Sequence, residues 1–553
     1  MDDGVRGPVL VVGGGPVGLA TALLLARAGT PSVVLEAAPR RLAVGSRSIC
    51  VQRDVLDILE RVGLGRRIAD AGVTWWVGRT FFREHEVLVT TFPEDSHSTF
   101  PPFTNISQTD LELLLDERAA AEPAVDVRFG HRVVGIEQDD AGVTARVVTE
   151  DGERAFYGTH CVAADGAHST VRHLLGLPFE GESYPDQFLI ADVRADFGFD
   201  APERRFFFDP VWNPGRQVLL HPQPGGVWRI DWQVPADFDL DRAQESGALD
   251  AKIRAIVGDR DHDLLWVSVY RFHQRRVPAM RVGRVLFAGD AAHVMAPFGA
   301  RGLNSGVQDA ENAAWKIAYE RAGWAGPLLL DSYDVERGAA ADENLDVTSA
   351  TMRFLSPRTQ AEREHRHAVL TRSVEDPSVR PLIDSGRLAE PFWYVDSPLT
   401  TPPSAREVAA FPRAPGAARP PLPGVLCPDA PLAGGWRLRQ VLGPHFTVLT
   451  SLTAGQSVLS GDPGSPTAPP TRLVRLPERG LAEELRLGAG VLRPGPAGRP
   501  PRGGAARRGS GRRRGGVGGR APACDWLGPD ALKWLLHRSA TRQRDTTSRG
   551  ASS

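Results

Sequence analysis

Val9-Leu10-Val11-Val12 runs straight into Gly13-Gly14-Gly15-Pro16-Val17-Gly18, and this junction decides the fold. Four consecutive apolar residues suit a strand buried on both faces of a parallel sheet. Leu19 to Ala28 (LATALLLARA) then reads as a helix, with Gly29 just past its end. Ser32-Val33-Val34-Leu35 gives a second strand, with Glu36 at its tip. Within G-x-G-x-x-G, Gly13 permits the tight turn, Gly15 lets a diphosphate approach the backbone, and Gly18 lets helix pack on strand. The helix N-terminus adds unpaired N–H groups and a positive dipole end. Glu36 lies 18 residues after Gly18, where a carboxylate holds ribose hydroxyls and disfavours a 2′-phosphate. Strand, turn, helix, strand and acid in this order make a dinucleotide-binding unit, and the adenosine half of FAD or NAD is its natural ligand.

Outward from this unit, the chain is long enough for several domains: 553 residues against roughly 100–200 per domain. Lys+Arg at 65 nearly balances Asp+Glu at 67, so no polyanion partner is implied for the whole chain. No apolar run reaches 18 residues, so no membrane span is expected, and the start has no basic head of a leader peptide. Cys50, Cys161, Cys427 and Cys524 form no C-x-x-C pair, which argues against a zinc site or a disulfide framework. A cytoplasmic enzyme is expected, with no metal, no nucleic acid and no membrane partner.

Two further junctions repeat the strand-then-turn pattern. Cys161-Val162-Ala163-Ala164 leads into Asp165-Gly166-Ala167-His168-Ser169-Thr170-Val171-Arg172, and Val285-Leu286-Phe287-Ala288 into Gly289-Asp290-Ala291-Ala292-His293. Asp290 suits a bond to a ribityl hydroxyl, and the turn Pro297-Phe298-Gly299-Ala300-Arg301-Gly302 brings backbone close to a planar ring. A helix starting near Leu303 would aim its N-terminus at the ring's pyrimidine end.

The three junctions together resemble the FAD-dependent aromatic hydroxylases, the class A flavoprotein monooxygenases that include phenol and hydroxyphenylpropionate hydroxylases. GGGPVG is similar to the first FAD fingerprint, DGAHSTVR to the family's Asp-Gly segment, and GDAAH with PFGARGLNSGVQDAENAAWKIA to the second fingerprint. The resemblance covers roughly residues 9 to 337. It implies that Glu36 takes the adenosine ribose, that Arg47 and Gln108 lie along the cofactor, and that Asp165 belongs to the segment serving the diphosphates. Asp290 would take the ribityl chain, with Pro297, Gly302, Leu303 and Asn304 around the isoalloxazine. The activity it implies is NADPH- or NADH-dependent hydroxylation by O₂ of a phenolic or polycyclic aromatic substrate, through a flavin hydroperoxide. An FAD-dependent oxidoreductase that does not insert oxygen stands as the alternative, because the fingerprints are shared.

The expected architecture is α/β. Residues 1–174 and 276–397 form two parts of a Rossmann-type FAD-binding domain, and 175–275 an inserted antiparallel sheet for substrate. Residues 398–431, dense in proline, read as a linker. Residues 432–484 resemble the start of a thioredoxin-like domain, and the Arg/Gly/Pro-rich 485–553 is expected to be disordered, with Ala531–Leu536 its one helix-like piece. FLIADVRADF, RQVLLHPQP and GVWRIDWQV alternate as a half-buried sheet should. His221, Trp232, Tyr270 and Phe298 are the substrate-contact candidates; Gln233 stands beside them as a pocket-lining candidate, and Arg229 reads as a solvated strand arginine. No nucleophile–base arrangement stands out, and a homodimer is left open.

Overall fold

The computed structural model describes residues 7–41, 48–92 and 98–400, with 424–427, 429, 432, 437–442, 446–450 and the backbone of 471–475 beyond them. The chain divides into a first unit, Met1–Phe392, and a second, Trp393–Ser553.

A six-stranded sheet organises the first unit, in the order Arg281–Val282, Val285–Phe287, Cys161–Ala163, Val9–Val12, Ser32–Leu35, Val125–Arg128. Its strands run parallel except for the Arg281–Val282 edge. The apolar runs of the three central strands are buried residue by residue, as a sheet covered on both faces requires. The helix Pro16–Arg27 starts with proline in its first turn, where the missing N–H is no loss, and ends before Gly29 at φ 72°. Against it packs Arg301–Ala322, which in turn meets Leu328–Leu355.

The second sheet has eight strands, ordered His293–Val294, His262–Arg276, Glu180–Ala195, Val227–Val234, Gln217–Gln223, Glu203–Phe208, Val77–Phe82, His85–Thr91. All pairings are antiparallel except Glu203–Phe208 with Val77–Phe82. Strands from before residue 175 and after 275 therefore join it. Nor is it half-buried. One face sets Phe188, Phe206, Phe208 and Phe272 against Phe298, Met352 and Phe354. The other sets Leu189, Val218, Ile230 and Trp232 against Leu249, Ile253 and Val257 of the helix Ala248–Val257.

Of the second unit, Phe446–Thr450 pairs in parallel with Thr471–Arg475. Arg437 ties its Nε to Asp429 at 2.8 Å. The 485–553 tail, Ala531–Leu536 included, lies outside the described residues. Among those described, no helix is long and apolar enough to cross a membrane.

Candidate active site

The first glycine turn is built on backbone proximity. Gly13 sits at φ 102°, and a Cβ there would overlap the Ala164 carbonyl and come within 2.9 Å of the Asp165 Cα. A Cβ on Gly18 would overlap the Gly13 carbonyl oxygen. Gly15 differs: no atom of the described residues comes within 4 Å of where its Cβ would stand, so the space before the helix N-terminus is open. Glu36 is oriented by two backbone donors, Gly14 N to Oε2 and Ala38 N to Oε1, both 2.7 Å. Asp165 accepts from Ser169 Oγ at 2.6 Å and Val171 N at 3.1 Å, so its carboxylate holds its own loop under the glycine turn. Burial raises its pKa against the pull of those bonds. Gln108 Oε1 accepts from Ser48 N at 3.3 Å; Arg47, the neighbour of Ser48, lies outside the described residues.

The second turn meets the first through one side chain. A Cβ on Gly289 would stand 3.0 Å from Val17 Cγ2, and one on Gly306 2.6 Å from the same atom. Val17 thus wedges between the Gly289-Asp290 turn and the helix Arg301–Ala322. Asp290 is exposed at the turn's tip. That helix begins at Arg301, two residues before the expected start, because Ala300 adopts the left-handed conformation (φ 55°) as its cap. Alanine there is strained. Helix geometry leaves the N–H groups of Arg301, Gly302 and Leu303 facing outward from the first turn, and no atom among the described residues lies within 4 Å of a Gly302 Cβ. Asn304 has a further, structural role beside the backbone N–H expected of it. Its side chain accepts from Gln52 N (3.0 Å) and donates to Cys50 O (2.9 Å), fastening the strand Cys50–Gln52 to the helix.

Between this turn and the large sheet, Phe298 meets Phe188 and Phe272 edge-on, with centroids 5.5 and 5.6 Å apart. Tyr270 packs on the same side, beside Phe272. His221 also shares that face, its Nε2 3.7 Å from Asp231 Oδ2. Burial pushes the His221 ring well below its ordinary pKa, helped by Arg204 and Arg229, and raises Asp231 to about 7. Yet 17% and 19% of their side-chain surfaces remain accessible. Trp232 does not join them. It is fully buried on the opposite face, because side chains alternate along Val227–Val234 and Ile230 and Trp232 share a side. The same parity corrects Arg229: it points inward, 2% exposed, and grips Asp192 with Nε at 2.8 Å and Nη2 at 2.7 Å. Gln233 is likewise inward but committed to Asp186 and Ser356.

Two glycine turns joined at Val17, two helix N-termini and an exposed Asp290 fit an extended dinucleotide with a planar ring. The family model described as FAD binding domain matches residues 6–348. The chain belongs to the FAD-dependent aromatic hydroxylases. This hydroxylase-family chain is 35% identical to a rifampicin monooxygenase of Streptomyces venezuelae, over 64% of this chain and 73% of that protein. It is 30% identical to a 3-(3-hydroxy-phenyl)propionate/3-hydroxycinnamic acid hydroxylase of Mycobacterium sp. (strain JLS), over 68% of this chain and 64% of the relative. The match thus spans just under two thirds of that relative's length. A crystal structure of the flavin-dependent monooxygenase PieE, in complex with FAD and substrate, is similar at TM-score 0.69 and 25% identity, covering 81% of this chain and 86% of that one.

Sequence reasoning missed three contributors to this hydroxylase-family site. Arg41 donates Nη2 to Gly14 O (2.7 Å) while its Nε holds Asp116 (2.6 Å), clamping the first turn. Asp309, fully buried, gathers Gly289 N (3.0 Å), His293 Nε2 (2.8 Å) and Arg337 Nε (2.5 Å). Arg204 reaches the inner face of the sheet. The helical spacing of Asp309, Asn312 and Lys316, three polar side chains on one stripe that also carries Ala313 and Ile317, was the available signal.

The Asp231 carboxyl yields a pH-dependent expectation. Its pKa is raised in the folded state, so stability is fully present below the unfolded value of about 3.9 and is lost as pH rises toward about 7. Asp231→Asn escapes that loss. The variant should therefore gain on the wild type between those pH values, by about 4 kcal/mol at most, in urea unfolding followed across pH. A pH-independent difference would mean that Asp231 is not desolvated.

Proposed function

We propose that the protein is an FAD- and NAD(P)H-dependent monooxygenase hydroxylating a phenolic or polycyclic aromatic ring. The observation that carries this reading is the aromatic wall of Phe188, Phe272 and Phe298 set between the Pro297–Gly302 turn and the sheet. The names of the hydroxyphenylpropionate and rifampicin relatives support it.

FAD, when bound, supplies electron transfer from NAD(P)H and the activation of O₂. The chain's residues do the rest. Gly13, Gly15 and Gly18 admit the diphosphate, Glu36 takes the adenosine ribose, and Asp290 bonds the ribityl chain. The N–H groups of Arg301, Gly302 and Leu303 face the pyrimidine edge. Tyr270 and Phe298 meet the substrate ring by offset and edge contacts, and Phe188 and Phe272, fully buried behind them, fix their placement and exclude water. His221, neutral, is placed to hold the proton of a ring hydroxyl. On this reading the eight-stranded sheet binds substrate, and residues 175–275 are the insert that supplies most of its strands. Residues 398–431 are a linker, and 432–484 a partial thioredoxin-like domain, which the parallel pairing at Phe446–Thr450 supports. The enzyme would be cytoplasmic.

The test is aerobic NADH and NADPH consumption by flavin-loaded protein against a panel of phenols, with labelled O₂. Ring-stimulated consumption and one labelled oxygen in the product are expected. Reduction of the flavin without incorporation would make the protein a reductase or dehydrogenase instead. Asp290→Ala should weaken FAD retention by about 10–100-fold, the equivalent of one strong hydrogen bond, with the melting temperature of the apoprotein little changed. Normal flavin content in that variant would remove Asp290 from the site.

A further inference from the structure

Burying a guanidinium is unfavourable unless a counter-charge or several acceptors meet it. Among the described residues of the first unit, the arginines buried more deeply than Arg204 obey this rule: Arg229 is matched by Asp192 and Arg337 by Asp309, while Arg172 meets two carbonyl acceptors and Arg301 three acceptors. Arg204 does not. It is 7% exposed, donates Nη2 to Ser385 O at 2.7 Å, and lies 5.4 Å from the Phe206 ring centroid. Its Nε has no partner, and among the described residues no carboxylate comes within ion-pair distance.

Its surroundings belong to the proposed catalytic chamber. Gly386, next to Ser385, packs so closely on the turn that a Cβ there would stand 3.2 Å from Phe298 Cβ. Cys50, an electrostatic neighbour of Arg204, has its carbonyl held by Asn304 at the start of the long helix. Asp231 and Asp384 act on Arg204 only over longer distance. His221 and Asp231, on the same sheet face as Arg204, keep accessible surface. With the imidazole neutral, the Asp231 carboxyl protonated below about pH 7, and Arg229 paired with Asp192, Arg204 carries a positive charge on that face without a paired carboxylate among the described residues.

We propose that Arg204 anchors an acidic oxygen of the aromatic substrate, either a carboxylate or a ring phenolate, inside the space between the sheet and the Pro297–Gly302 turn. The assignment rests on the hydroxylase reading for the location of the substrate. An arriving anion supplies the counter-charge that the fold withholds, through short charge-assisted bonds. When the oxygen is a phenol's, its proton is taken up by the neutral His221 and passed on to solvent, since the buried imidazole does not retain it. The charge then sets which rings are accepted and which way round they lie.

The experiment measures binding, by calorimetry and flavin absorbance, to the FAD-loaded full chain. Four probes separate the sources: 3-(3-hydroxyphenyl)propionate, its amide, its methyl ether, and the methyl ether of the amide. A carboxylate anchor predicts that acid binds about tenfold or more tighter than amide. A phenolate anchor predicts the same margin for phenol over ether at pH near the phenol's own pKa. Arg204→Met should erase whichever preference is present, and Arg204→Lys should retain part of it. The ligand-free Arg204→Met protein should melt no lower than wild type, since an unmatched charge is gone. Equal affinity of the wild type for all four probes, or a preference that survives in Arg204→Met, overturns the proposal. So does a lower melting temperature in Arg204→Met, which would make the arginine a structural tie to Ser385. Anion preference without oxygen incorporation would instead fail the monooxygenase reading and leave the anchor standing.

Discussion

Gly18→Ala is expected to yield a protein that retains no FAD. The added carbon would overlap the Gly13 carbonyl oxygen and stand 3.1 Å from the Gly13 carbonyl carbon. Both are backbone atoms of a turn pinned between two parallel strands, so no side chain can swing aside. The helix Pro16–Arg27 must back away from the sheet, carrying its N-terminal N–H groups with it. Val17 moves too, and with it the packing of Gly289 and Gly306. Overpacking of this kind costs about 1–3 kcal/mol in stability. Retention should suffer more, by at least about 100-fold, because both ends of the cofactor cradle are displaced. Gly15→Ala is the control. No atom of the described residues meets its Cβ, so the apoprotein should melt like wild type while FAD binding falls. Flavin-to-protein ratio and apoprotein melting temperature separate the two variants. A Gly15→Ala protein with full flavin would show that no diphosphate approaches that carbon.

The second large effect is expected at Asp309. Its carboxylate is fully buried and joins the Gly289-Asp290 turn to two helices through Gly289 N, His293 and Arg337. Burial alone would raise its pKa, but Arg337 and His293 outweigh this and hold it below the usual range. Asp309→Ala strands the Arg337 guanidinium in the core and leaves the Gly289 N–H without its acceptor. Breaking one side of a buried pair costs about 3–5 kcal/mol, a large part of a typical 5–15 kcal/mol of total stability. Asp309→Ala should therefore express poorly or melt far below wild type. Adding Arg337→Met should recover stability, since the uncompensated charge goes with it. Failure of the double variant to recover would show that the Gly289 and His293 bonds, not the charge pair, carry the energy.

What the sequence made legible follows from locality. The glycine turns, the helix after them and the acid at Glu36 are dictated within thirty residues by steric needs that only glycine meets. Parity across the large sheet was not legible, because alternation distinguishes inner from outer only when one face is wet. In WRIDWQV both faces are covered, so Arg229 looked solvated and Trp232 looked like pocket, and each is the reverse. The recruitment of Val77–Phe82 depends on a parallel pairing more than a hundred residues away, with no local signal. Asp309 and Arg337 meet only once two helices pack, so the spacing of Asp309, Asn312 and Lys316 marks a polar stripe without naming its partner.

The adjacency of Cys161–Ala163 and Val285–Phe287 in the six-stranded sheet has an evolutionary meaning. The chain leaves the sheet at the end of one strand and returns on the strand beside it, so the intervening segment begins and ends within a few strand widths. Closing such an excursion depends only weakly on its length. That segment can be lengthened, shortened or exchanged while the cofactor platform keeps its shape, provided that it keeps its pairings with Val77–Phe82 and His293–Val294. One platform can in this way serve many aromatic substrates.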